Sequence, residues 1–180
     1  MNASELISMA LDAGFSLAQR IDPATITPMD AVRDMCAVDK CKSYDKNWAC
    51  PPACGSVEAC AAKISSFNCG VIVETTGDLE DDFDFESMAE TAKRHGENFT
   101  ALTRKIRENT DEPILPLGSG GCSNCKECTY PDAPCRFPDR MVHPMEGYGI
   151  LISDVCKKNN VLYNHGRGTL TYVGCFLFNE

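Results

Sequence analysis

The chain has 180 residues, a formal net charge of −9, 43% hydrophobic residues and 12 cysteines. That length fits one compact domain with a real core, and the acidic balance disfavours non-specific nucleic-acid binding. No run approaches the ~18 apolar residues of a membrane helix. The opening MNASELISMALDAGF lacks the basic leader of an exported protein, so the cysteines point to metal or redox chemistry in a reducing cytoplasm rather than to a secreted disulfide scaffold.

In chain order, residues 3–13 predict a short helix that Gly14 ends, and FSLAQRI after it a strand. Residues 36–60 then read CAVDKCKSYDKNWACPPACGSVEAC. Four residues separate Cys36 from Cys41 and eight separate Cys41 from Cys50, while Cys54 and Cys60 compete for a fourth ligand position. Iron–sulfur ligation, a zinc site and packed free thiols all stay open for this segment. Tyr44 and Trp48 are either a shield for such a site or ordinary packing.

Ser56 is placed to cap a helix VEACAAKISSF, and CGVIVET has the β-branched run of a buried strand. Next comes an acidic run, Asp78, Glu80, Asp81, Asp82, Asp84 and Glu86, read as a solvated loop and helix start rather than a docking patch. From Phe85 a stripe at 85, 88, 92, 99, 102 and 106, with His95 on it, predicts a long amphipathic helix. PILPLG is a short strand.

The strongest signal follows, GSGGCSNCKECTYPDAPCRFP. Two overlapping CxxC steps present Cys122, Cys125 and Cys128, and Cys135 lies beyond a gap of six residues. Three thiolates so spaced wrap one side of a cubane, each on a different iron, and a distant cysteine takes the last corner. Zinc more often draws two ligands from each of two knuckles. Gly118, Gly120 and Gly121 let backbone N–H groups approach the cluster, and Arg136 offsets its charge or makes a surface ion pair. Neither a GxGxxG nor a Walker loop is present.

Cys156, in the helical stretch ISDVCKKNN, is a reserve ligand, as is Cys54. Cys69 and Cys175 read as small core residues, and His95 as a core histidine. His143 and His165 are loop residues without partner spacing. The tail VLYNHGRGTLTYVGCFLF predicts two strands around the turn NHGRG. These elements imply a single α/β domain over residues 1–180, with a small sheet, flanking helices and two cysteine-rich loops at 36–60 and 118–140.

The stretches CKSYDKNWACPP with GSVEAC, GGCSNCKECTYPDAPCRFP, HPMEGYGILISDVC and TLTYVGCFLF together resemble a family of predicted metal-binding proteins, domain of unknown function twenty-two eighty-four. The resemblance covers most of the chain. It implies one site of Cys36, Cys41, Cys50 and Cys60, favouring Cys60 over Cys54, and a second of Cys122, Cys125, Cys128 and Cys135. It also implies an anaerobic context, and it supplies no reaction. Where the family pattern has PSME, this chain has His143-Pro144-Met145-Glu146.

The reading is an iron–sulfur protein with two 4Fe–4S clusters, acting as an electron-transfer module with a partner redox protein or enzyme. One alternative is an enzyme with an open iron, for dehydration or sulfur-handling chemistry. The other is a zinc-stabilised interaction domain.

Overall fold

A computed structural model describes all 180 residues. It contains helices α1 (Ala3–Asp12), α2 (Asp30–Ala37), α3 (Val57–Ile64), α4 (Phe85–Asn109) and α5 (Ile152–Lys158). Its strands are β1 (Leu17–Ile21), β2 (Cys69–Asp78), β3 (Leu115–Gly118), β4 (His143–Pro144) and β5 (Thr169–Phe178). They form one mixed sheet in the order β1-β2-β5-β3-β4, antiparallel throughout except for the parallel β3–β4 pair. The α/β architecture expected from the sequence is therefore the one observed.

The two long strands lie inside the sheet and are covered on both faces, which is why they read as near-continuous apolar runs. Alternation still divides their side chains. Cys69, Val71, Val73, Phe176 and Phe178 face α1 and α4, packing with Leu6, Phe15, Phe99, Leu102 and Ile106. Ile72, Val173, Cys175 and Leu177 face the other side, toward α3, α5 and the turn at 146–148. Cys69 and Cys175 thus occupy the core, on opposite faces.

Local signals fix the helix ends. Asn2 and Glu5 form a reciprocal capping box on α1, each side chain accepting the other's backbone N–H at 2.9 Å. Ser56 accepts from Ala59 N at 3.2 Å to start α3. Two carboxylates of the acidic run are used locally: Asp81 accepts from Phe83 N at 2.7 Å, and Asp84 accepts from Ser87 N and Glu80 N, both at 3.0 Å, at the start of α4. His95 lies buried in α4 with Nδ1 3.0 Å from Thr75 Oγ1, and burial pulls its pKa down to about 4, so it is neutral in the core.

Four elements differ from the sequence reading, the smallest being β4, which takes His143 from a loop into the sheet beside β3. The buried stripe of α4 begins at Thr91 rather than Phe85, which is 70% exposed because the first turn of α4 extends past the sheet. Helix α2 was not signalled: Met29 gives it no side-chain cap, and only Val32 is buried. The tail supplies one strand, not two. β5 already pairs with β2 on one side and β3 on the other, leaving no lateral position for a hairpin partner, so residues 161–168 cross as a loop. That loop bends through left-handed Gly166 (φ 103°) and Gly168 (φ 73°).

Candidate metal centre

The first cysteine loop is shaped by its backbone and by one asparagine. After Cys36, in the last turn of α2, the chain curls through three non-glycine residues with positive φ, Asp39, Lys42 and Asp45. Such conformations persist only where the surroundings over-determine them. Here Asp39 accepts from Tyr44 N at 2.9 Å and pairs with Lys46 at 2.5 Å. Buried Asn47 accepts from Ala49 N and Cys50 N, both at 3.0 Å, and donates to Ser43 O at 3.1 Å. Those bonds carry Cys50 inward. Its thiol is pushed up by burial and then by the neighbouring Cys41, Cys36 and Cys122, while the Asn47 bond opposes the shift. Cys36 is likewise pushed up by burial, Glu146 and Cys41, and donates to Glu146 O at 3.7 Å. Cys41 is therefore near enough to both Cys36 and Cys50 to raise their pKa values.

The second loop leaves the end of β3. Cys122 is pushed up by burial and by Cys135, Cys125 and Cys128 around it. All four cysteines of this segment thus share one neighbourhood, including Cys135 across its long gap. Thr129 closes the loop by donating to Pro134 O at 2.9 Å. Arg136 donates to Glu127 O at 2.7 Å and lines an open cleft with Cys125, Lys126 and Phe137.

The two loops touch. Trp48 Nε1 donates to Ala133 O at 3.0 Å, its ring meets Tyr130 edge-on at 4.9 Å, and Tyr130 donates to Asp45 at 2.6 Å. Trp48 therefore joins loop to loop rather than filling the core. A Cβ added to Gly121 would stand 2.6 Å from Ser43 Oγ and 3.9 Å from Cys50 Sγ, so the second loop passes close against the first here. His143 Nδ1, 2.9 Å from Ala49 O, ties β4 to the same place.

Cys60 stands elsewhere. It is buried on α3 beside Cys54, its thiol donating to Cys54 O at 3.7 Å. Arg33 reaches in, donating to Gly55 O at 2.9 Å and to Cys60 Sγ at 4.0 Å. The neighbouring Cys54 thiol, and then Arg33, lower Cys60 to about 7 despite its burial, while Cys60 and burial push Cys54 up. Cys54 also faces Cys50 and donates to Gly147 O at 3.2 Å. Cys156, the other reserve ligand, is buried on α5 facing Cys175 and Glu74, away from both loops. No three His, Cys, Asp or Glu side chains converge on a point suited to a single ion.

Residues 19–178 match the family described as Predicted metal-binding protein (DUF2284). The chain belongs to this family. No curated protein and no solved structure matches it. The metal binding in the family's description fits the donors here, since thiols are soft ligands and seven of them occupy two touching loops, with Cys54 and Cys60 adjoining. No helix is long and apolar enough to cross a membrane.

One pairing had no sequence signal. His165 Nε2 lies 3.0 Å from Glu74 Oε2, joining residues 91 positions apart. A histidine in a turn and a glutamate within VIVETTG carry no common spacing, and only the sheet brings them together.

Proposed function

We propose that this family member binds two 4Fe–4S clusters and works as an electron-transfer or redox module in a reducing, oxygen-poor cytoplasm. The observation that carries the reading is the shared neighbourhood of Cys122, Cys125, Cys128 and Cys135, on a loop bonded to the one that carries Cys36, Cys41 and Cys50. Cys60 is the fourth ligand of the first group on the family pattern. Such clusters, when bound, supply one-electron chemistry within roughly −700 to +450 mV. Asn47 and the Trp48–Ala133 bond hold the two ligand loops in register, and Gly121 brings its backbone close to Cys50. Lacking a nucleotide or flavin loop, the chain exchanges electrons with a partner redox protein or enzyme.

A second reading draws on the pairing of Cys60 with Cys54. With Cys60 so engaged, three thiolates serve the first cluster and one iron stays open for dehydration or sulfur-handling chemistry. Added cyanide would then perturb one cluster's spectrum selectively.

Protein purified without oxygen is expected to be brown and to carry about eight iron and eight sulfide per chain, measured chemically. Stoichiometric zinc without acid-labile sulfide, even after cluster reconstitution, would favour the zinc-stabilised interaction domain instead.

A further inference from the structure

Arg33 lies on α2, three residues before Cys36, so both side chains project from one face of that helix. Its guanidinium crosses to the start of α3 and divides its donors between two groups. One nitrogen donates to Gly55 O at 2.9 Å, and another approaches Cys60 Sγ to 4.0 Å. Gly55 takes the chain through the left-handed region (φ 99°) into Ser56, the cap of α3. Arg33 thereby ties the helix that opens the first cysteine loop to the helix that carries Cys60. The turn at 146–148 meets thiols of the same region, since Cys36 donates to Glu146 O at 3.7 Å and Cys54 to Gly147 O at 3.2 Å.

No carboxylate matches the charge of Arg33. It is half-buried between the helices and takes part in no ion pair. A partly desolvated guanidinium is normally set against an anion, and facing a neutral thiol it stays uncompensated. A metal-bound cysteine, by contrast, is a thiolate. With Cys60 as a ligand, the sulfur that Arg33 approaches carries the missing negative charge. The second loop is built differently, because Arg136 donates to a carbonyl, Glu127 O, at 2.7 Å.

We infer that Arg33 is a positioning residue of the first centre, holding the Cys60 ligand by a charge-assisted hydrogen bond to its sulfur and raising that centre's reduction potential. The inference rests on the reading above in which Cys60 is the fourth ligand of a redox-active cluster. Reduction adds one electron from the partner, and no bond forms or breaks. The added negative charge falls near a fixed positive one in a half-buried place, which favours the reduced state. Hydrogen bonds to ligand sulfur are among the controls on cluster potential.

The test follows both midpoint potentials of the cluster-loaded full chain by anaerobic EPR-monitored titration. Arg33→Gln removes the charge and should shift one midpoint to more negative values with bound iron unchanged. Arg33→Lys keeps the charge and should restore most of the wild-type value. The shift should persist in the Cys125→Ala chain, which keeps the first centre alone. Unchanged midpoints in Arg33→Gln, equal shifts with glutamine and lysine, or a shift lost in the Cys125→Ala chain would overturn the inference alone. Should Arg33→Gln take up no iron, pulsed EPR of the otherwise native Cys125→Ala chain, labelled with heavy-nitrogen arginine, decides. Coupling of an arginine nitrogen to the reduced first centre is expected, and its absence would overturn the inference. Absence of any reducible iron in the wild type would overturn the redox reading and this inference together.

Discussion

Replacing Cys125 with alanine is expected to lower bound iron from about eight to about four atoms per chain, by removing one four-iron centre. Cys125 is the middle thiol of the CxxCxxC step and shares its neighbourhood with Cys122, Cys128 and Cys135. Alanine leaves three thiolates where a cubane has four corners, and the loop has few apolar anchors to hold it closed. Cys41→Ala should have the converse effect on the first centre. The sequence alone presents the two segments as independent, yet the Trp48–Ala133 and Tyr130–Asp45 bonds join them. Loss of one centre should therefore make the other loop more sensitive to protease, although its iron stays. Iron analysis of each variant checks the assignment. Retention of all the iron in Cys125→Ala, or loss of all of it, would contradict two separately ligated centres.

The largest effect on stability is expected at Phe99, where substitution by alanine should cost about 3–5 kcal/mol. Phe99 is buried on α4 and stacks on Phe176 of β5 at 4.5 Å between ring centroids. It also closes over two glycines of the sheet: a Cβ on Gly174 would stand 2.5 Å from its ring, and one on Gly118 3.6 Å from it. The ring thus occupies a shape that no smaller side chain fills, and the cavity left by alanine adds to the lost burial. Gly118 ends β3 and launches the loop toward Cys122, so the same packing fixes where the second ligand loop begins. Denaturant unfolding of the metal-loaded protein measures the change. A loss below about 1 kcal/mol would mean that the core relaxes around the gap and does not anchor the loop.

The periodic elements were legible in the sequence because their patterns are local. The capping residues Asn2 and Ser56, the β-branched run of β2 and the later part of the α4 stripe each announce their structure within a few residues. The grouping of Cys122, Cys125 and Cys128 is legible for the same reason. Cys60 is different: its place beside Cys54 and Arg33 depends on how α3 is turned against the sheet, which cysteine spacing does not encode. The Trp48–Tyr130 contact and the Glu74–His165 pair span 82 and 91 positions, and the sheet order creates them. The tail misled because residues 161–163 have strand composition, but β5 already has a partner on each side.

The central claim is that two iron–sulfur centres sit in adjoining cysteine loops, and EPR of anaerobically purified, fully reduced protein tests it most directly. Two reduced-cluster signals broadened by mutual magnetic coupling are expected, because the two ligand loops touch through the Trp48–Ala133 and Tyr130–Asp45 bonds. A protein with no cluster signal after reconstitution, or with two sharp and independent signals, would contradict it.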